Sequence, residues 1–160
     1  MSAYVSFFMR GKDDTFYPIY RFSRNTELFF VVSDLIPEVY TYITSLTDTL
    51  ADNILSYLIS QRTTNENMIQ EYKDKIQQIS QLTNNSVYEK MEVINNYESI
   101  IEDTQDDLDS INYYINFIEF LSQMKFEAKC STKNDINSEE YIYVGIEAGY
   151  PTVENIYNKE

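Results

Sequence analysis

Apolar residues alternate one by one at the start of the chain and recur at intervals of three and four from Thr47 onward. In "AYVSFFMR", Val5, Phe7 and Met9 fall to one side, and Tyr4, Ser6 and Phe8 to the other. That period of two marks a strand. "TFYPIYRFS" is equally rich in aromatic residues, and "GKDD" (Gly11–Asp14) between them supplies a short turn, with Gly11 free to take positive φ. The three pieces predict a β-hairpin. Pro18 cannot donate to a ladder, so its strand is expected at a sheet edge. In "NTELFFVVSDLIP" the "FFVV" run would suit a strand. A cap at Asn25 or Thr26 and a stop before Pro37 favour a short helix instead. "EVYTYITS" alternates β-branched and aromatic residues and predicts a third strand.

At Thr47 the period changes. Thr47 is a candidate N-cap, and Asp48 places an anion in the first turn, where the helix dipole favours it. Ile54, Leu55, Leu58, Met68, Ile69, Tyr72, Ile76, Ile79 and Leu82 follow at helical steps, with no Gly or Pro between them. "TNN" (Thr83–Asn85) is a breaker. Ser86 and Glu89 then form a capping-box signal for a second helix, expected to run to about Ala128, roughly 60 Å at 1.5 Å per residue. Its apolar residues include Val87, Met91, Ile94, Tyr97, Ile101, Leu108, Ile111, Ile115, Ile118 and Leu121. So short a connection folds the two helices back on each other as an antiparallel hairpin. With Leu82 and Val87 flanking the turn, Leu58 should face Ile111, Ile54 should face Ile115, and Tyr72 should meet Tyr97. Asn65 falls near Thr104 and Gln61 near Leu108, a polar layer that is either a hydrated section of coiled coil or a contact fixing its register.

"CSTKNDINSEE" reads as a loop and "YIYVGIEAG" as a closing strand added to the N-terminal sheet. The predicted fold is therefore α+β: a small sheet from N-terminal strands and a C-terminal strand, with a long antiparallel helical hairpin inserted. The expected layout is a single domain over 1–160, with sheet at 1–46 and 139–149, helical hairpin at 47–128 and a tail at 150–160.

Composition then removes several kinds of chemistry. The chain has no histidine, which excludes Ser-His-Asp and Cys-His nucleophile activation, HExxH zinc sites and carboxylate–histidine di-iron bundles. Cys130 is its single cysteine, too few for an internal disulfide or a cysteine-based metal site. Neither GxGxxG nor GxxxxGK[ST] occurs, and "GIEAG" reads as strand followed by turn. No cofactor, metal or enzymatic activity is expected. The N-terminus has no basic region before a long apolar run, and no segment approaches eighteen uninterrupted apolar residues, so a cytoplasmic protein is expected. The net charge of −14 opposes direct binding to nucleic acid or anionic lipid and favours cationic partners or simple solubility.

More than half of that charge lies in one stretch. Residues 91–124 hold eight acids and no Lys or Arg, six of the acids within "NNYESIIEDTQDDLDSINYYINF" (95–117). Glu98, Glu102, Asp106 and Asp109 follow steps of four, four and three, so they share a helix face, with Asp103 and Asp107 beside them. An exposed face lacks the desolvation that tunes a carboxylate for acid–base work. Its side chains also diverge where a hard cation needs converging oxygens. Like charges four residues apart repel by roughly 0.2–0.5 kcal/mol per pair. Two readings stand: a solvated face kept soluble by its charge, or a surface that captures a basic protein through Glu98, Glu102, Asp103, Asp106, Asp107 and Asp109. The aromatic set Tyr4, Phe7, Phe8, Phe16, Tyr17, Tyr20, Phe22, Phe29 and Phe30 is expected mostly in the sheet core. An apolar interface on the sheet is a further possibility, and base stacking is opposed by the overall charge.

The opening "YVSFFMRGKDDTFYPIYRFSRNTE", the helical hairpin and the closing "YIYVGIEAG" resemble small uncharacterised proteins carried by phages and mobile elements of AT-rich Gram-positive bacteria. The resemblance implies a context, a host-defence inhibitor of the anti-CRISPR or anti-restriction type acting in the bacterial host cell. It assigns no functional residue. The expected function is non-enzymatic capture of a basic, nucleic-acid-binding defence protein. The alternative is a self-associating coiled-coil assembly protein, a homodimer for example, with an inert acidic face.

Overall fold

The structure, a computed structural model, describes residues 3–40, 42–82, 86–131 and 137–148. The expected tail at 150–160 and the breaker at 83–85 lie outside the described residues. In chain order the regular elements are β1 (Ala3–Arg10), β2 (Phe16–Ser23), α1 (Glu27–Leu35), β3 (Thr44–Ser45), α2 (Asp48–Ser80), α3 (Val87–Ser131) and β4 (Ile142–Ala148). Single 3-10 turns cover Pro37–Tyr40 and Ser138–Glu140. The fold is α+β, with a four-stranded antiparallel sheet and two long helices packed against each other.

The chain divides into two compact units. One comprises residues 1–57 and 116–160 and contains the sheet; the other is 58–115.

In the first unit the strand order is β2-β1-β4-β3. The chain's closing strand lies beside its first, from Ala3 opposite Ala148 to Met9 opposite Ile142. β2 is an edge strand, as Pro18 requires. Phe7 pairs with Tyr20 and Phe8 with Pro18, so Ile19 is an extra residue that bulges β2 beside the proline. The turn between β1 and β2 assigns its left-handed residue to Asp14 (φ 61°), not to Gly11. Asp tolerates that conformation better than most side chains. Gly11 serves packing instead, because a Cβ there would stand 2.5 Å from the Tyr17 ring.

Thr26 caps α1, its Oγ1 accepting from the Phe29 N–H at 3.3 Å. The helix buries Leu28, Phe29, Val31 and Val32. The strand expected over "EVYTYITS" is largely replaced. After Ile36 the chain makes the 3-10 turn, which buries Val39, and only Thr44–Ser45 pairs with β4. Pro37 explains the difference: it has no N–H to donate, and burying Ile36 and Val39 needs a turn rather than an extended run. Within this unit the α3 segment from Asn116 covers the sheet face carrying Phe7 and Phe22. Phe117 meets those two rings at 5.1 and 5.0 Å, and Ile118 and Leu121 are fully buried.

The second unit holds α2 from Leu58 and α3 as far as Ile115. Ser86 Oγ accepts from the Glu89 N–H (3.1 Å) here, as Thr47 Oγ1 does from the Leu50 N–H (3.2 Å) in the first unit, so both predicted caps are formed. Tyr72 and Tyr97 meet at 5.3 Å between centroids, the register expected from the turn. Thr104 contacts Met68 (Oγ1 to Sδ 3.6 Å), about one turn from its expected neighbour Asn65. Buried or half-buried positions on α3 step by four and three through Ile94, Tyr97, Ile101, Thr104, Leu108 and Ile111. A helix keeps one face inward over many turns with that mean spacing near 3.5. Val87 and Met91, expected in the seam, are exposed. α2 ends at Ser80, so it offers no turn opposite Val87, and Met91 falls off the seam's phase. At its far end α3 runs to Ser131, three residues past the expected stop.

Candidate functional site

The six clustered acids, from Glu98 to Asp109, lie mid-helix on α3, within the second unit. Glu98, Glu102, Asp103, Asp106, Asp107 and Asp109 are all exposed, while Thr104 and Leu108 between them are buried. The helix period therefore does what the spacing predicts: one face seals the seam and the other projects carboxylates into water. Gln105 Nε2 donates to Asp109 Oδ1 at 3.1 Å. Among the described residues, none of the six makes an ion pair. Arg62, a cation on the facing helix α2, is half-buried and makes no ion pair with Asp106 or Asp107. The result is a row of uncompensated anions on a rigid rod. Among the described residues there is no group of three or more side chains placed to hold a metal ion.

The first unit contains a second polar constellation, which sequence reasoning did not single out. The sheet register sets Ser6 opposite Arg21 and Tyr4 opposite Glu147, so these four side chains share one face. Ser6 Oγ donates to Glu147 Oε2 at 2.9 Å, and both residues are buried. Glu147 Oε1 is also buried and has no hydrogen-bond partner. Burial pushes the Glu147 carboxyl above its ordinary range, opposed by the Ser6 hydroxyl and the nearby Arg21 charge. The Arg21 guanidinium lies 4.7 Å from the centre of the Tyr4 ring. A cavity of about 560 Å³ opens here, walled by Phe8, Pro18, Ile19 and Tyr20, with Ser6, Arg21 and Glu147 as its polar members. "GIEAG" gave no hint of this, because it reads only as strand followed by turn and its local pattern names no partner for Glu147. Only the pairing of β4 with β1 supplies one.

The third polar group is structural. Lys125, only 4% exposed, donates to the Leu46 carbonyl (3.0 Å) and to Asp48 Oδ1 (2.6 Å). Hydrogen bonding to Lys125 is the main cause that holds the Asp48 carboxyl below its ordinary range. Of the aromatic set, Phe7, Phe8, Phe22 and Phe29 are core, whereas Tyr17, Tyr20 and Phe30 are exposed. Among the described residues, no helix is long and apolar enough to cross a membrane.

Comparison with protein-family models, with curated proteins and with solved structures found no match to this chain.

Proposed function

We propose that the protein is a non-enzymatic binding protein whose α3 acidic face captures a basic protein, in its specific form a nucleic-acid-binding component of bacterial host defence. The supporting observation is the run Glu98, Glu102, Asp103, Asp106, Asp107 and Asp109, exposed and making no ion pair among the described residues. Repeated like charges along a helix oppose folding, so an uncompensated row costs stability that scattered lysines would have spared. A partner bearing Lys and Arg turns the same row into an attractive field, speeding encounter and fixing register. A protein that normally grips phosphates would be suited to it, since its basic surface is already complementary. The host-defence form of the reading rests on the resemblance of the chain's two ends to phage and mobile-element proteins.

The test is affinity capture from bacterial lysate at low and high salt, comparing the natural chain with a triple charge reversal, Glu102→Lys, Asp106→Lys and Asp109→Lys. A basic protein held at low salt, released at high salt and lost with the reversal is the expected result. Circular dichroism should show the helix content of the reversed chain intact. Capture that survives the reversal removes the electrostatic reading.

A second reading is favoured by a different observation. Leu82, Val87, Tyr88 and Met91 are all strongly exposed, Tyr88 at 80%. Pairing of these residues between two copies would cover them and leave the acids inert. A salt-resistant oligomer in sedimentation, formed without any added partner, would support that reading over the first.

A further inference from the structure

The Ser6–Glu147 cavity stands apart from the acidic helix and calls for its own occupant. Leaving a buried acceptor without a donor is costly, and more so when it is charged. Glu147 is 94% buried by its 6% exposure, its Oε2 is taken by Ser6, its Oε1 has no hydrogen-bond partner, and the residue lines the cavity of about 560 Å³. We propose that this cavity binds a small organic amine, its ammonium group donating to Glu147 Oε1 and its apolar body lying against Phe8, Pro18, Ile19 and Tyr20. The volume falls in the range of small-molecule sites, and the mostly apolar lining with few polar groups has their usual chemistry.

Arg21 sets the selectivity. It and Glu147 are the charged groups among the lining residues. Its guanidinium rests over Tyr4 and makes no ion pair with Glu147, so it leaves Oε1 open while opposing a second positive charge. Amine binding and protonation of Glu147 are coupled. An ammonium against Oε1 favours the carboxylate and reverses part of the upward pressure that burial exerts on it.

The experiment uses the full chain, with 2-phenylethylamine as probe and 2-phenylethanol as its neutral counterpart. Binding is followed by the ¹³Cδ resonance of Glu147 during titration at neutral pH. The amine should shift that resonance saturably and the alcohol should not. Glu147→Gln keeps the acceptor toward Ser6 but removes the charge, and should weaken the amine about 10-fold or more, as loss of a charged hydrogen bond implies. Arg21→Gln should tighten it. Equal binding of amine and alcohol, or a Glu147 carboxyl in the natural chain that responds to neither, would overturn the proposal. The second measurement needs no variant to fold.

Discussion

Lys125→Met tests how the first unit is tied together. Met keeps most of the aliphatic stem and removes only the ammonium. Three interactions go with it: the 3.0 Å bond to the Leu46 carbonyl, the 2.6 Å contact with Asp48 and a longer 3.9 Å ion pair with the part-exposed Glu139. Asp48 is 67% exposed, so water replaces the lost partner there, and that part is worth at most about 1 kcal/mol. The Leu46 carbonyl has no such recourse if the site stays closed. Leaving a buried acceptor unsatisfied costs about 1–3 kcal/mol. The expected total is a loss of about 2–3 kcal/mol at neutral pH, read as a lower urea midpoint in far-UV circular dichroism. The pH dependence adds a second, independent check. Asp48 has a folded-state pKa below its unfolded value of about 3.9. It therefore stabilises the fold above that pH, and the contribution is lost as pH falls through the folded pKa. Lys125 is the main cause of that depression, so the gap between natural chain and variant should narrow in acid. A loss under about 0.5 kcal/mol at neutral pH would refute the anchoring role. So would a gap that stays constant or widens in acid.

Glu147 titrates in the opposite sense: its folded pKa lies above the unfolded value of about 4.3, so the natural chain should lose stability as pH rises from there through the folded pKa. Glu147→Gln should abolish that decline, and denaturation curves across mildly acidic to neutral pH will show it or fail to. Leu58 is fully buried in the helical pair, so Leu58→Ala should cost about 2–5 kcal/mol in chemical unfolding, depending on how far the seam can collapse.

The sequence by itself determined the elements whose causes are local. Alternation in "AYVSFFMR" and "TFYPIYRFS", broken by "GKDD", specified the hairpin, and Pro18 specified which strand must be an edge. The caps at Thr26, Thr47 and Ser86 lie within three residues of the groups they bind, so side-chain chemistry located the starts of α2 and α3 and narrowed that of α1 to Asn25 or Thr26. The Tyr72–Tyr97 contact followed as well, because a short connection leaves two helices little choice of register. The exposure of the acidic row followed from helix period and charge. What only the tertiary structure decided depends on distant partners. "EVYTYITS" has strand-like residues, yet burying Val39 after Pro37 took most of it out of the sheet. The left-handed turn residue is Asp14, while the Tyr17 ring, brought there by the strand pairing, is what reserves position 11 for glycine. Lys125 and Asp48 are 77 residues apart, and Ser6 and Glu147 are 141 apart. No local pattern carries such pairings. Strand order and helix packing bring those groups together, and burial then makes an ordinary glutamate into an acceptor without a donor.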